Sequence, residues 1–523
     1  MTVLIPTAGI GSRLKSYTNY FNKALLPVGK IPVISHIIDI YPKQTDFIIA
    51  TGYEGNHIKE YLEYAHPKRK FFYVNILPFK GKDSSLQITL QQAIKYIKND
   101  FVFHVNDAIL KEKINLNFKK DTLFISKKYN DLKEFRKVSV KNNHILKIHD
   151  KKIILYEKKL YTYIGVAYVK DYKLFKEIIN EDNNNLAELN YFKTKCKNND
   201  LNYILTKNWY DAGTPFTLNE TLNHLSTFKN LNKLDEAIYF KSNKVFKFNT
   251  NSKINKKKIL RSKILGNNVP KLIDTSKYFY SYTYVNGRLF SKITPNINEF
   301  KKLLHWLEKK LWFKKTKLKP KNFKKNCENF YYFKTKDRIN KFYSIYKIKD
   351  KSDIINGVKY PKLKKLLNQV DWDHIFKGFP VIFHGDLHFE NIIKQKNNFK
   401  IIDWRGSFNK DIYFGDIYYD FAKIFHGLIV NHSIIKNEQY EINIKKNKIS
   451  YSIKKKSGYS FLQNYFGKYV TKKKFSFYKV KIITALIFLN ISPLHSGKYG
   501  VFLYYLGKKM LGDLLKSKSD NRI

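Results

Sequence analysis

From residue 1 to about residue 225, short runs of branched and aromatic residues alternate with segments whose apolar positions recur every three to four residues. Val3 to Thr7, Phe47 to Ala50, Phe71 to Leu77, Phe101 to Val105 and Thr122 to Ser126 predict buried strands. Pro32 to Tyr41, Asn56 to Ala65 and Ser84 to Lys98 predict the helices between them. This alternation predicts a doubly wound, Rossmann-like α/β sheet with a ligand site at the carboxyl edge of its strands. Residues 226–235 lapse into polar sequence and predict a linker, dividing the chain into a domain over 1–228 and a second over 229–523. The second opens with two alternating runs, Glu236 to Lys241 and Lys244 to Asn249, that predict a hairpin. A Lys-rich helical pattern (Ser252 to Leu265), another strand (Tyr278 to Val285) and mostly helices follow, so a small β-rich lobe precedes a larger helical one in a bilobal α+β arrangement. The Asn/Lys-rich pieces Asn180 to Asn185 and Asn443 to Lys456 predict loops or insertions.

Composition narrows the class. With 43% hydrophobic and 16% aromatic residues over 523 positions, the chain has enough apolar surface for substantial cores, which excludes global disorder. Cys196 and Cys327 are too few for a disulfide framework or a zinc cluster and point to a reducing compartment. The start lacks the features of a signal peptide. The most apolar late stretch, Ile482 to Leu494, is shorter than the roughly 18 to 20 residues of a membrane span. The expectation is a soluble, cytoplasmic protein. Charge is the outlying quantity: 98 Lys plus Arg against 43 Asp plus Glu, a net +55. Such an excess suits a nucleic-acid or anionic-membrane partner. Only eight of the basic residues are Arg, however, and nucleic-acid recognition leans on Arg for bidentate contacts. A solvated Lys surface is the favoured reading, with weak association with anionic membranes kept open. Residues 1–225 carry 35 basic and 22 acidic residues, so most of the excess lies in the second half.

Two motifs carry chemistry. The first strand runs into Ala8-Gly9-Ile10-Gly11-Ser12-Arg13, where two glycines let backbone N–H groups approach a phosphate chain and Arg13 adds fixed charge. Lys23 follows, ahead of Pro27-Val28. The third glycine of the dinucleotide fingerprint is replaced by Leu14, which argues against NAD or FAD. Together these residues resemble the opening of nucleotidyltransferases that join a nucleoside triphosphate to a sugar phosphate or phosphocholine. The resemblance extends through Ala50-Thr-Gly-Tyr53 and Ser84-Ser85-Leu86 to Asn106-Asp107 and Tyr210-Asp211-Ala-Gly213. It implies Ala8, Gly9, Gly11 and Ser85 as nucleotide-binding residues and Arg13 and Lys23 as catalytic cations. Asp107 and Asp211 are implied as ligands of Mg²⁺, which an attack by one anionic phosphate on another requires. A strand-end cap for Asp107 and a plain turn for Asp211 are the bland alternatives.

The second motif is His384-Gly385-Asp386-Leu387-His388-Phe389-Glu390-Asn391, followed by Asp403-Trp404-Arg405 after a further strand. An Asp and Asn five apart, then a second Asp, make the spacing of a phosphoryl-transfer loop. It resembles the aminoglycoside phosphotransferase and choline kinase superfamily. That resemblance implies Asp386 as the base toward an acceptor hydroxyl, Asn391 and Asp403 as Mg²⁺ ligands on ATP, and His384 as a brace of the loop. It also implies Asp416 as the residue that fixes the loop, Lys247 as the lysine gripping ATP phosphates and Tyr284 in the hinge that accepts adenine. The Ser252 to Leu265 helix lacks the Glu that would pair with Lys247.

A kinase makes the phosphomonoester that a nucleotidyltransferase consumes. The combined expectation is a bifunctional enzyme that phosphorylates a small alcohol with ATP. It then transfers a nucleotidyl group from a second NTP, CTP or UTP, giving an activated donor for surface glycan or lipid synthesis. Arg405, two residues beyond Asp403, favours a sugar or polyol over a quaternary amine, unless it points at the ATP phosphates instead. Choline or ethanolamine kinase joined to a cytidylyltransferase is the runner-up. An antibiotic-modifying kinase leaves the first half without a role, and a Lys-rich nucleic-acid-binding protein with degenerate enzyme domains leaves both motifs unexplained.

Overall fold

A computed structural model describes residues 1–520 apart from 130–131, 152–159, 182–185, 187, 226–234, 314–319, 397 and 455–456. Nearly all of the expected linker, and most of the expected loop at 180–185, lie outside the described residues. The chain forms two compact units: Met1–Ser252 with Ile273–Tyr282, and Lys253–Leu272 with Thr283–Ile523.

The first unit is wound around a parallel core. β1 (Thr2–Pro6), α1 (Val33–Asp39), β2 (Asp46–Thr51), α2 (Gly55–Ala65), β3 (Lys70–Asn75), α3 (Leu86–Ala93) and β4 (Phe101–His104) follow one another. The strands lie in the order β3-β2-β1-β4, with Val3 opposite Phe47 and Val102, and Phe47 opposite Phe71. Their interior positions are apolar on both faces, as a sheet covered by helices on both sides demands. Next come β5 (Ala108–Leu110), β6 (Thr122–Ser126), β7 (Lys137–Lys141), β8 (His144–His149) and β9 (Leu160–Val169). β9 runs antiparallel to β4 with Ala167 opposite Phe103, and β7 and β8 extend the sheet beyond it. β10 (Asn202–Leu205) pairs with β6, and β11 (Trp209–Asp211) pairs antiparallel with β5 before α4 (Pro215–Leu225).

β12 (Glu236–Lys241) and β13 (Lys244–Asn249) form the expected hairpin. α5 (Ser252–Leu265) follows, then β14 (Leu272–Thr275) and β15 (Phe279–Thr283), and the four strands make one sheet in the order β12-β13-β15-β14. The units therefore do not divide at residue 228. Tyr239, Phe246, Phe248 and Phe279 are buried in one cluster with Ile34, Ile37 and Tyr61 of the first unit, and Tyr239 donates to the Leu25 carbonyl at 2.6 Å. At about 1.5 to 3 kcal/mol for each large side chain buried, these aromatics outweigh the chain order that suggested a separate lobe.

In the second unit, β16 (Arg288–Leu289) leads to α6 (Ile297–Leu307) and α7 (Lys334–Tyr346). β17 (Pro380–Val381), β18 (Ile392–Gln395), β19 (Asn398–Ile401), β20 (Gly415–Asp416) and α8 (Ile417–Ile429) then carry the second motif. β16, β18 and β19 form a three-stranded sheet, and β17 pairs with β20. β21 (Tyr440–Lys445) and β22 (Lys448–Ile453) form a regular antiparallel hairpin where Asn/Lys content had suggested a loop. Ile442 and Ile444 supply a period-2 pattern that the lysines obscure. α9 (Phe477–Ile491) and α10 (Gly497–Asp520) complete the unit. The segment Phe477–Leu494 reaches the length and apolar character of a membrane span, beyond the shorter stretch expected, and 67% of it is buried inside the protein. Val480, Ile483, Ala485, Leu486 and Leu489 are buried around α9, as in the core helix of a globular unit.

Candidate active sites

In the first unit the loop after β1 is tied down before any ligand is considered. Thr7 N–H donates to Ala50 O (2.8 Å) and Tyr53 N–H to Ala8 O (2.9 Å). Asn22 donates to the carbonyls of both Thr7 (2.7 Å) and Tyr53 (2.8 Å), while its own oxygen accepts from Ala24 N–H (2.9 Å). One buried amide thus locks two strand ends and sets the backbone from which Lys23 projects. Gly11 has φ +66°, and a Cβ there would lie 3.1 Å from Thr18 Cγ2, so the turn requires glycine. No heavy atom lies within 4 Å of a Cβ position on Gly9, which leaves an open approach to the loop.

Asp107 lies between β4 and β5, and Asp211 ends β11. Pairing of Ala108 with Asp211 brings the two acids together. A Cβ on Gly213 would sit 3.0 Å from Asp107 Oδ2 and 3.2 Å from Asp211 Oδ2, so a glycine keeps the space between the carboxylates clear. Lys23 Nζ lies 2.8 Å from Asp107 Oδ2, and the exposed Arg13 guanidinium 4.0 Å from it. Burial would raise the Asp107 carboxyl, but Lys23 and Arg13 hold it below the usual range. Asp211 accepts from Thr217 Oγ1 (2.5 Å) and Gly213 N–H (2.9 Å). Burial, then the charge of Asp107, push its carboxyl up to about 6. Two converging carboxylates, one of them short of positive charge, fit a hard divalent cation that keeps water and phosphate oxygens as its other ligands. Among the described residues no group of three or more His, Cys, Asp or Glu side chains is placed to hold a metal by itself. Ser85 caps α3, its hydroxyl accepting from Ile88 N–H at 3.2 Å.

In the second unit the loop from His384 to Asn391 bridges β17 and β18. His384 is fully buried, its Nε2 donating to Ile402 O (2.9 Å) and its Nδ1 accepting from Asp386 N–H (3.2 Å). Burial lowers its pKa to about 4, so it is a neutral brace. Asp386 Oδ1 meets Lys423 Nζ at 2.7 Å, and Oδ2 lies 3.7 Å from His388 Nε2. Burial would raise the Asp386 carboxyl, but Lys423 and His388 hold it well below the usual range, leaving an ionised, weakly basic acceptor. Asn391 Nδ2 donates to Asp386 O (2.9 Å), and Ile402 N–H donates to Asn391 O (2.9 Å), which sets Asp403 just past that pairing. Asp403 has φ +57°, a left-handed conformation that costs energy outside glycine. An amide oxygen and a carboxylate on adjoining strands suit a hard cation that takes its remaining ligands from phosphates.

Asp420, rather than Asp416, fixes the loop. Asp420 accepts from His384 N–H (2.9 Å), Gly385 N–H (2.8 Å) and Trp312 Nε1 (3.1 Å). Asp416 instead caps α8 and binds Phe379 N–H and the Tyr331 hydroxyl. One helical turn separates them, and the later residue faces the loop. Arg261 of α5 adds bonds to the carbonyls of Phe383, Ile412 and Tyr413. Lys247 is buried on β13 in the first unit, and Tyr284 is 48% exposed in the second, just after β15. Lys423, Asp420 and Asn22 went unassigned in the sequence. Helical spacing from Asp416 gave a hint of Asp420, but Lys423 and Asn22 are visible only through tertiary contacts.

The N-terminal region resembles sugar-phosphate nucleotidyltransferases. D-glycero-α-D-manno-heptose 1-phosphate guanylyltransferase of Campylobacter jejuni is 25% identical over 187 residues, 35% of this chain and 79% of that protein. Glucose-1-phosphate cytidylyltransferase of Salmonella typhimurium is 27% identical over 131 residues, 21% of this chain and about half (51%) of that protein. Among solved structures, CTP:phosphocholine cytidylyltransferase from Streptococcus pneumoniae aligns at 19% identity with a TM-score of 0.36, over 43% of this chain and 99% of that one. The inositol-1-phosphate CTP transferase of T. maritima aligns at 14% with a TM-score of 0.35, over 43% and 95%. No protein-family model matches the chain.

Proposed function

We propose that the chain is a bifunctional, cytoplasmic enzyme that phosphorylates a hydroxylated metabolite with ATP and then joins the resulting phosphate to a nucleotidyl group. The nucleotidyl half rests on one observation above all: Lys23, Asp107 and Asp211 converge beside an open glycine loop at the carboxyl edge of the sheet. The sugar 1-phosphates named for the two relatives support a sugar phosphate as its substrate. Asp107 and Asp211 would hold Mg²⁺, which when bound neutralises charge between the reacting phosphates. The loop N–H groups bind the triphosphate. Lys23 and Arg13 stabilise the charge that grows on the departing pyrophosphate.

The kinase half rests on the Asp386, Asn391 and Asp403 arrangement. Asp386 accepts the hydrogen bond, and finally the proton, of the acceptor hydroxyl as its oxygen bonds to the γ-phosphorus and ADP departs. Asn391 and Asp403 would hold Mg²⁺ on the ATP phosphates. Lys423 orients Asp386 and keeps it ionised. A mass-spectrometric screen of sugars, polyols and amino alcohols with ATP plus CTP, UTP, GTP or dTTP tests both halves. Mass gains of a phosphate and then of a nucleotidyl group are expected, and absence of both would overturn the proposal.

A further inference from the structure

Lys334 and Arg338 stand one turn apart on the same face of α7. Lys334 Nζ lies 3.9 Å from the centroid of the Phe330 ring and 5.9 Å from that of Tyr419. The Arg405 guanidinium lies over the same two rings, at 5.2 and 5.6 Å. Arg405 Nε donates to Gly385 O at 3.1 Å, which ties this group to the residue before Asp386. None of the three cations forms an ion pair with any described carboxylate, because the nearby acid, Asp386, is already engaged by Lys423. Burial, then the charges of Arg405, Arg338 and Lys423, hold the Lys334 ammonium well below its ordinary range. All three are half-buried, and like charges gathered where solvent screens them only in part are costly unless an anion joins them. No described side chain supplies that anion.

Taking the kinase reading as its basis, we propose that Lys334, Arg338 and Arg405 form an anion subsite for the phosphoryl acceptor, which is a hydroxylated metabolite already bearing a carboxylate or phosphate. Arg405 is bonded to the residue before the one that receives the acceptor's proton, and the Asp386 charge acts on Lys334. The triphosphate, by contrast, is served by the cation that Asn391 and Asp403 would hold.

The test uses the full chain with ATP and Mg²⁺ and four acceptors: glucose, glucose 6-phosphate, glucuronate and choline. ADP release and product mass are followed for each. An anionic sugar is expected to exceed glucose about 100-fold in kcat/KM, and the two anionic arms separate phosphate from carboxylate. Lys334→Met and Arg338→Gln are each expected to raise the acceptor KM about 10-fold with little change in the KM for ATP. Arg338→Gln, on the half-buried end of the cluster, carries the test if Lys334→Met does not fold in a thermal melt. Equal use of glucose and its anionic forms, or variants that raise the KM for ATP instead, would overturn the subsite while the kinase reading stands. ADP release from none of the four above an Asp386→Asn background would overturn the kinase reading and the subsite with it.

Discussion

The two sites distribute charge differently. In the first unit, Lys23 and Arg13 both turn toward Asp107, and Asp211 is held by neutral donors, so the charges balance but one carboxylate has no ion-pair partner. In the second, Lys423 satisfies Asp386, and Lys334, Arg338 and Arg405 stand without a carboxylate, so positive charge is left over. A carboxylate without an ion-pair partner suits a metal between phosphates; cations without a carboxylate suit an anionic molecule. Both sites fit phosphoryl chemistry, yet the groups left over show which partner each still lacks.

The sharpest break of this comparison is Asp386→Asn. Phosphorylation of the acceptor is expected to fall about 10³-fold, while pyrophosphate release from NTP and a supplied sugar 1-phosphate is unchanged. Joint loss of both activities in a folded variant would show that the two sites are not separate. Lys23→Ala is the mirror experiment, with nucleotidyl transfer down about 10²-fold and ADP formation intact in steady-state assays. Next come the residues that hold each loop. Asp420→Ala leaves two loop N–H groups and an indole without their acceptor, and denaturant unfolding should show a loss of about 2 kcal/mol. Asn22→Ala should cost about 1 kcal/mol by the same measurement, through the freed carbonyls of Thr7 and Tyr53.

Group by group, the smallest effect is that of acid. Burial lowers His57 and His104 in the first unit and His384 in the second to about 4, and His66 of the first to about 2. Their folded pKa values lie below the unfolded value of 6.5, so the unfolded chain binds more protons as the pH falls through 6.5 toward 4. The stability these groups give is complete above pH 6.5 and is lost through that window, by roughly 1 kcal/mol each at pH 5.5. Asp211 and Asp420, raised to about 6, and His388, raised to about 9, bind protons more readily in the folded state and offset part of this loss. A thermal melt series from pH 7.5 to 5 should still show the midpoint falling, and a midpoint that rises would contradict the burial of these rings.

The elements themselves were legible where one pattern dominated. Thr122–Ser126, both strands of the hairpin at 236–249 and the helix Ser252–Leu265 stand at the limits that periodicity predicts. The hairpin at 440–453 was not legible, since Lys and Asn crowd its sequence and only Ile449 among its isoleucines is fully buried. The unit boundary was not legible either, because it depends on where Tyr239, Phe246 and Phe279 find apolar partners. In the sites, the motif residues announce themselves through spacing along the chain. Lys423 and Lys334 answer Asp386 and Arg405 from helices far away in sequence, where one more lysine among so many carries no local signal.

The central claim is that one chain performs two consecutive transfers at two sites. Phosphorus NMR on the full-length protein, given ATP, a second NTP and the acceptor that supports ADP release, tests it most directly. The account predicts ADP first, then pyrophosphate and a nucleoside diphosphate linked to the acceptor, with equal final amounts of ADP and pyrophosphate. Pyrophosphate released with no ADP formed, or ADP formed with no pyrophosphate following, would contradict it.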